Sequence, residues 1–312
     1  MSQTITEKNV SVSTKKTYFN PTYGCDPEFN ASKNQQLLQA NKELNSEDIL
    51  GHDGNGRTFE VRPDPSEDPL EVVNNIRNIF AQQVLRSPKF LDYEFHAGSH
   101  AFGDPLGGHI HIGCKKDKID AIEGSRILSQ YVGLVTILLE DTQQGILRRK
   151  GGNYGGMEDC RTDKPYGFEY RAPSSWITSP HIAAGVLCLT KVVMDEVLNN
   201  DKFKPSTRIT KALFSNEKEK ELYEIFPDVW REITQMRLYN QYKTQLDPLN
   251  FLINKRLSWF PRKIKGGKVE QVSLQEAWGI IRLHDMLTKK VKLEDIWANW
   301  KNGGNMVQKI WA

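Results

Sequence analysis

The sequence predicts an α+β fold, because strand-like patterns cluster in the first half of the chain and helical patterns dominate the second. Before Trp176, three short segments alternate apolar and polar residues with a period of two, which is typical of strands that bury one face. Two longer segments in the same half repeat apolar residues at helical spacing. After Trp176 most of the chain reads as helical, which favours α+β over an alternating, doubly wound α/β arrangement.

Three helices can be placed individually. The first is DPLEVVNNIRNIFAQQVL, in which Asp68 is the expected N-cap and Pro69 the first helical residue. The second is predicted from about Lys118 to Asp141. The segment PHIAAGVLCLTKVVMDEVLNN predicts a third, buried helix. The apolar stripe of the first helix consists of Val72, Val73, Ile76, Phe80 and Val84.

The chain of 312 residues is long enough for one large domain or two modest ones. Residues 1–16 are polar and offer little to bury, so we expect a flexible arm. We expect residues 17–200 to form the core that carries the function. Residues 201–312 are predicted to form a mainly helical region packed on that core, after a break near NNDKFKPSTR.

Composition indicates a soluble globular protein, with 38% hydrophobic and 26% charged residues. The net charge of +3 suits anionic ligands such as nucleotides but is too small to predict nucleic-acid binding by itself. The four cysteines stand singly, which favours a reducing compartment. The N-terminus lacks the apolar segment of a signal peptide, and the longest apolar run is about half a membrane span. We therefore expect a cytoplasmic protein without membrane association.

Three predicted strands, RTFEVRP, GGHIHIG and YGFEYRAP, share one pattern. Because alternate side chains of a strand point to opposite faces, the polar residues of each would share a face. If the strands belong to one sheet, that face carries two carboxylates, two imidazoles and two guanidinium groups. Carboxylates and imidazoles are ligands for a divalent metal, and guanidinium groups bind phosphate oxygens. The polar pairs are Glu60 with Arg62, His109 with His111, and Glu169 with Arg171.

A fourth segment, YGCDPEF, adds Asp26 and Glu28. On a strand these two acids would share a face, with Pro27 at an edge or a bulge. Each motif also has an ordinary structural interpretation. Two histidines on a strand are most often a surface pair, an ExR strand is usually a cross-strand ion pair, and DPE is typical of a turn or helix start. The four together, with matching alternation, favour a single site.

The glycine-rich stretch GHDGNG precedes the strand of Glu60. It is typical of a hairpin turn, because Asp-Gly and Asn-Gly favour positive φ, and we favour that interpretation. The alternative is a loop lining a pocket, with His52 or Asp53 in contact with substrate.

These motifs, in this order, resemble the phage-type carboxylate–amine ligases (amidoligase type 2) of the glutamine synthetase-like superfamily. The resemblance covers roughly Tyr18 to Ser179. It implies a curved, mostly antiparallel sheet with the active site on its concave face, helices packed behind, and a helical C-terminal extension. It also implies that ATP phosphorylates a carboxylate and that an amine then attacks the acyl phosphate, with Mg²⁺, or Mn²⁺ in its place, bridging the phosphates. The cell would be a phage-infected bacterium.

The resemblance also implies roles for individual residues. One departure from the pattern is Asp-Pro-Glu, where glutamine synthetases use two glutamates on the first site strand. The implied metal ligands are Asp26, Glu28, Glu60, His109 and Glu169. The implied nucleotide contacts are His111, Arg171, Arg148, Arg149 and Arg161. The implied catalytic residues are Arg171, Glu60 and Arg62, with Glu60 or Asp53 as the base that deprotonates the amine.

Two other functions remain open at this stage. One is a zinc hydrolase that uses the HxH strand to activate water, although no third histidine lies at an obvious spacing. The other is a non-catalytic binding protein. The expected partners of a ligase are small-molecule or peptide carboxylates and amines. The basic stretch WFPRKIKGGK leaves a nucleic-acid substrate as an alternative, though a solvated loop is favoured. The sequence carries no signal for an oligomeric state.

Overall fold

The computed structural model describes residues 18–115, 117–151, 154–214, 219–265 and 268–279. The predicted arm, residues 1–16, and the end of the predicted C-terminal region, residues 280–312, lie outside the described residues.

Strands and helices alternate irregularly along the described chain. The strands are β1 (Thr22–Cys25), β2 (Glu28–Lys33), β3 (Gln36–Leu37), β4 (Leu50–His52), β5 (Phe59–Val61), β6 (Glu94–His96), β7 (His100–Ala101), β8 (Asp104–Pro105), β9 (Ile110–Gly113), β10 (Cys160–Arg161), β11 (Gly167–Tyr170), β12 (Arg262–Lys265) and β13 (Lys268–Gln271). The helices are α1 (Ala40–Glu43), α2 (Pro69–Arg86), α3 (Ala121–Leu128), α4 (Leu134–Leu139), α5 (Thr142–Gly151), α6 (Pro180–Asn199), α7 (Glu219–Gln235), α8 (Tyr239–Asn254) and α9 (Leu274–Ala277), with a 3₁₀ turn at Pro88–Asp92 and a π-helical segment at Ser129–Gly133.

Two antiparallel sheets form the centre of the fold, which confirms the α+β prediction. The first has the order β1-β9-β11-β10. The second has the order β3-β2-β5-β4, with β6 added beside β2. The two sheets follow one another along the chain, because β1 belongs to the first and β2 to the second.

The junction between the sheets corrects one prediction. Asp26 and Glu28 do not lie on a single strand, because β1 ends at Cys25 and β2 begins at Glu28. The backbone continues alongside the segment before β9: the Glu28 amide donates to the Gly107 carbonyl at 2.9 Å. The pairing that decides where the strands break is therefore non-local. Pro27 lies where the chain passes from one sheet to the other, a position at which no backbone N–H is needed for strand pairing.

N-capping side chains set the first residues of α2 and α3. The Asp68 carboxylate accepts from the Leu70 amide at 3.0 Å, which confirms the predicted start of α2. The second predicted helix starts later than expected, at Ala121, because the Asp120 carboxylate caps the amides of Ile122 and Glu123. It is also interrupted by the π-helical segment before it continues as α4.

The core lies between the first sheet and the helices. Ile110 and Ile112 are fully buried, as the alternation of GGHIHIG predicts. Helix α6 packs against both α2 and α8. A Cβ atom at Gly185 of α6 would lie 2.8 Å from the Leu249 side chain, so a glycine is needed for this close approach. Within the described residues, no helix is both long and apolar enough to cross a membrane.

The C-terminal region packs on the core through tryptophans. The Trp278 indole donates to the Ile177 carbonyl at 2.8 Å, and the Trp259 amide donates to Leu139 at 3.0 Å. The region contains α7, α8 and α9, but its basic stretch forms the hairpin β12–β13 rather than helix or irregular loop.

Candidate active site

The first sheet brings histidine and glutamate motifs side by side. In the register of β9 and β11, His111 lies opposite Glu169, and on the other side it lies opposite Gly24 of β1. Ile110 and Ile112 occupy the alternate positions and face the core. The polar residues of the two motifs therefore share one face of the sheet, as the period of two predicts.

Asp26, His109 and Glu169 form a buried cluster, and one potential ligand atom from each lies within 4.8 Å of the others. His109 Nδ1 is 3.2 Å from Asp26 Oδ1 and 3.6 Å from Glu169 Oε1. His111 contacts the other carboxylate oxygen of Asp26, with its Nε2 at 3.2 Å from Oδ2. The two histidines thus lie on either side of Asp26, and only His109 joins the cluster.

The cluster has the properties of a cation site. Asp26 Oδ1 and Glu169 Oε1 are buried, and neither accepts a well-aligned hydrogen bond. Buried oxygen atoms are rarely left in this state, and a divalent cation would satisfy both. Two carboxylates and one imidazole suit Mg²⁺ or Mn²⁺ better than Zn²⁺, whose catalytic sites are usually richer in histidine.

The charges of the cluster are coupled. Burial raises the pKa of Asp26, but the neighbouring His109 and His111 lower it by more, so its pKa lies well below the ordinary value. Burial lowers the pKa of His109, and the surrounding carboxylates, Asp26 first, more than compensate and raise it. Without a cation, each group of the pair therefore favours its charged form, carboxylate for Asp26 and imidazolium for His109.

Glu28 and Glu60 face each other across β2 and β5. Glu28 accepts a hydrogen bond of 2.6 Å from the Gly107 amide. Burial raises the pKa of Glu28, and burial followed by repulsion from Asp26 raises the pKa of Glu60 to about 8. Glu60 is also paired with Arg62, whose guanidinium donates to the backbone carbonyl groups of Asp48 and His52. Arg62 is therefore engaged beside Glu60 and is not among the described residues that line the cavity.

Three cationic side chains surround Glu169. Arg161 lies opposite it in the register of β10 and β11, with Nη1 at 3.3 Å from Oε1. Lys164 Nζ is 2.9 Å from Oε2, and Arg171 Nε is 3.4 Å from Oε1. Asp159 holds the far end of Arg171, at 3.4 Å from Nη1. This places positive charge beside the cluster, where a phosphate would need it.

Arg148 and Arg149 are neighbours on α5 with different surroundings. Arg148 is buried and donates to the carbonyl oxygens of Ala172 and Arg171, at 2.9 and 3.1 Å. Burial lowers the pKa of Arg148 to about 10. Arg149 is paired with Glu140 and is not among the described lining residues of the site.

Part of this set lines a cavity of about 330 Å³, whereas Glu169 is fully buried behind the cavity wall and is not among its described lining residues. Its walls carry carboxylates and guanidinium groups together, and two of its guanidinium N–H groups, Arg148 Nε and Arg171 Nε, are buried without a well-aligned acceptor. The cavity therefore has places for both a cation and an anion. The described lining residues are Asp26, Glu28, Asp53, Asn55, Glu60, Pro105, Gly107, His109, Arg148, Tyr154, Arg161 and Arg171.

The glycine-rich stretch combines both of its predicted roles. Asn55 Oδ1 accepts from the amides of Arg57 and Thr58, at 2.8 and 3.0 Å, which is the behaviour of a turn residue. Asp53 and Asn55 also line the cavity. The turn interpretation and the pocket interpretation are thus compatible.

Several residues of the site are not among the candidates that the sequence predicts. Tyr154 lines the cavity, with the Arg171 guanidinium 5.7 Å from its ring centre. Tyr166 stacks on His111 with ring centres 5.5 Å apart. Lys164 and Asp159 bind the ends of the Glu169–Arg171 pair. All four lie in the segment between α5 and β11, so their position just before the strand of Glu169 and Arg171 was the available signal.

The comparison with family models identifies the chain. The model described as phage phiEco32-like COOH.NH2 ligase-type 2 matches residues 23–279. The protein belongs to this family of carboxylate–amine ligases. The match extends well beyond Ser179, where the resemblance in the motifs ends, and includes most of the C-terminal region. Membership favours a carbon–nitrogen ligase over a zinc hydrolase.

Solved structures of other ligases are distant from this family member. A structure described as a novel glutamine synthase homolog is 14% identical, with a TM-score of 0.36, and the match covers 75% of this chain and 70% of that one. A bifunctional glutathione synthetase from Pasteurella multocida is 11% identical, with a TM-score of 0.35; 81% of this chain is covered, and the chain spans 59% of that enzyme. No curated protein matches the sequence.

Proposed function

We propose that this ligase couples ATP hydrolysis to amide formation, through an acyl phosphate made in the cavity of Asp26, His109, Glu169 and Arg171. The observation that carries the proposal is the pairing of unsatisfied groups in one cavity. Two buried carboxylate oxygens, of Asp26 and Glu169, accept no well-aligned hydrogen bond, and the buried Nε–H groups of two arginines in the cavity wall, Arg148 and Arg171, have no well-aligned acceptor. A metal–nucleotide complex would satisfy both sets at once, because it presents a divalent cation and phosphate oxygens together.

Asp26, His109 and Glu169 are the residues proposed to hold the metal. When bound there, Mg²⁺ or Mn²⁺ would neutralise part of the phosphate charge. His109 must be neutral to act as a ligand, so its proton leaves when the metal enters. His111 is not among the described lining residues of the cavity and stacks with Tyr166, so its proposed contact with the nucleotide rests on its position beside Asp26.

Arg171 is the proposed clamp for the transferred phosphoryl group. Its guanidinium is fixed by Asp159 and lies beside Glu169, and its Nε is buried and without a well-aligned acceptor. Arg148 fixes the backbone at the same place, because it donates to the Arg171 carbonyl. Arg161 is half-exposed at the rim, where it could bind a phosphate or a substrate carboxylate. In the first step the γ-phosphoryl group moves to a carboxylate oxygen of the substrate, and ADP leaves.

In the second step the amine nitrogen bonds to the acyl carbon, the C–O bond to phosphate breaks, and the amine loses a proton. Glu60 is the proposed acceptor of that proton. Its carboxylate lines the cavity, and its pKa of about 8 is close to the value that suits a base at neutral pH. The paired Arg62 keeps the carboxylate oriented. The proposed substrates are small-molecule or peptide carboxylates and amines, which agrees with the modest volume of the cavity.

The proposal is tested by trapping the acyl phosphate. The protein is incubated with ATP, Mg²⁺, a pool of carboxylates and hydroxylamine, which converts an acyl phosphate to a hydroxamate. We expect hydroxamate and ADP to appear together and to require the carboxylate. A parallel reaction with a pool of amines should give an amide and phosphate. ADP release without hydroxamate, or no ADP release with any carboxylate, would contradict the acyl-phosphate route.

A further inference from the structure

A second cavity, of about 490 Å³, lies on the other side of the β7–β8 hairpin from the active site. His100, Ala101 and Phe102 of the hairpin line this cavity, whereas Pro105 at its base lines the active site. Helix α5 is shared in the same way, with Leu147 in one cavity and Arg148 in the other. The volume falls in the range of about 300–1,000 Å³ that is usual for small-molecule sites.

The tip of the hairpin is built in an unfavourable way. Phe102 and Gly103 are its two turn residues, with φ of +52° and +90°, as in a type I′ turn. Asn-Gly is the usual choice there, because positive φ strains a side chain as bulky as phenylalanine. Phe102 nevertheless occupies the strained position, and its ring is 42% exposed at the cavity. Strain of this kind persists where the surroundings fix it, and it points to a functional contact.

The hairpin is held firmly enough to present that ring. Asn30 donates to the Ala101 carbonyl at 2.9 Å, and Asp104 is buried and paired with Arg57. The Phe102 ring lies edge-on to His96, with ring centres 4.9 Å apart. His96 is fixed in turn by Ser32, whose hydroxyl is 2.9 Å from its Nε2.

The rest of the cavity combines aromatic and aliphatic side chains with amide, hydroxyl and imidazole groups. Phe95 and Phe260 add two rings, and Leu147 adds an aliphatic side chain that is 55% exposed. None of the described lining residues is a lysine, arginine, aspartate or glutamate. Burial lowers the pKa of His96, so this imidazole is neutral near pH 7. Gln144 and Gln271 place amide groups at the wall, and these can donate and accept hydrogen bonds.

We propose that this second cavity binds a neutral planar ring, aromatic or heteroaromatic, against Phe102 and Leu147. Rings and an aliphatic side chain supply stacking and apolar contact, and amides supply hydrogen bonds to heteroatoms. The described lining residues include no lysine or arginine, which favours a neutral ligand over a phosphate or a carboxylate. The ring can belong to a nucleoside or to a different ring-bearing molecule. The proposal is independent of the ligase reaction, because it concerns binding without turnover.

The test uses adenosine and indole as neutral probes, with binding to the full-length protein measured by calorimetry and saturation-transfer NMR. Phe102→Asn removes the ring and places a residue suited to positive φ in the turn, so the fold is expected to be retained. Leu147→Gln removes the second apolar contact on an exposed helix position. Ile49→Asn is the matched control, since Ile49 is 46% exposed and lies outside the described lining of both cavities.

We expect at least one probe to bind the wild type. Its affinity should fall by at least about tenfold in Phe102→Asn and Leu147→Gln and should be unchanged in Ile49→Asn. Displacement of the probe by ATP would assign the site to the nucleotide ring, and persistence of the probe at saturating ATP would assign it to another molecule. The proposal is overturned if neither probe binds the wild type, or if both cavity variants bind like the control.

Discussion

Two buried groups of charged side chains differ in how completely their polar atoms are satisfied. In the first, the closed cluster, the Glu140 carboxylate accepts hydrogen bonds of 2.5 Å from both Ser99 and Ser174 and is paired with Arg149. Both charged side chains are almost fully buried, and neither lines the active-site cavity. This cluster ties α5 to the loops around the second cavity and the end of β11.

In the second, the open cluster of Asp26, His109 and Glu169, two carboxylate oxygens accept no well-aligned hydrogen bond, and two of its members, Asp26 and His109, line the cavity. Burial alone does not distinguish the two clusters. The carboxylate oxygens distinguish them. Both oxygens of Glu140 have partners, although Arg149 Nε is buried without a well-aligned acceptor, and a buried carboxylate with its hydrogen bonds complete stabilises the fold. A carboxylate left incomplete beside a cavity can instead bind a ligand. One arginine from each region, Arg171 and Arg149, allows this difference to be tested directly.

The largest effect is expected from Arg171→Ala. Its guanidinium is the proposed clamp for the phosphoryl group, so we expect the turnover of ATP to fall by about 10³-fold or more. The free energy of unfolding should change little, because Arg171 is held by Asp159 and Glu169 at a cavity wall rather than in the core. Turnover is measured as ADP release, and folding by circular dichroism. Wild-type turnover in a folded variant would contradict the assignment.

Arg149→Ala should show the opposite behaviour. Removal of this side chain leaves Glu140 buried without its guanidinium partner, which costs about 3–5 kcal/mol. We expect a clear loss of stability in urea denaturation, while the molecules that remain folded keep their turnover. A stable variant with lost ATP affinity would instead support the sequence prediction that Arg149 contacts the nucleotide.

The contrast also shows what the sequence could reveal. The strands around Glu60, His109 and Glu169 were predictable, because a period of two is a local pattern. The hypothesis that all three share one sheet is wrong, because β5 with Glu60 belongs to the second sheet, whereas β9 and β11 belong to the first. Asp26 and Glu28 were predicted as site residues but placed on one strand, since the break between the sheets depends on pairing with Gly107 and other distant residues. The closed cluster was not predictable at all.

The reason is the distance along the chain between its members. Ser99, Glu140 and Ser174 come from three separate segments, and none stands in a motif. Arg148 illustrates the same limit, because its burial depends on the carbonyl oxygens of Arg171 and Ala172, which the sequence does not place beside α5. The hairpin β12–β13 was missed because its strands are rich in lysine and arginine, which are not typical of strands.

Cation binding provides a separate test of the open cluster. At 100 times its dissociation constant, Mg²⁺ or Mn²⁺ should stabilise the wild type by about 2.7 kcal/mol, seen as a rise in Tm. Asp26→Asn removes one negative charge from the cluster at nearly the same volume, so the rise should disappear. Arg149→Ala, which alters only the closed cluster, should keep it despite a lower starting Tm. An equal rise in the wild type and in Asp26→Asn would place the cation elsewhere.

The smallest effect concerns the pH dependence of stability in chelator, where no cation is bound. Burial raises the pKa of Glu60 to about 8, above the ordinary value near 4.5 that it has in the unfolded chain. Between these values the folded protein binds the proton more tightly, so this residue makes stability fall as pH rises through the window. Glu60→Gln removes that dependence, and the variant should gain on the wild type by about 1–2 kcal/mol between about pH 6.5 and pH 8. Urea denaturation across this range measures the difference. A difference in unfolding free energy that stays constant with pH would mean that Glu60 is ionised throughout. The proton released by the amine would then need another acceptor. Asp53, which also lines the cavity, is the next candidate.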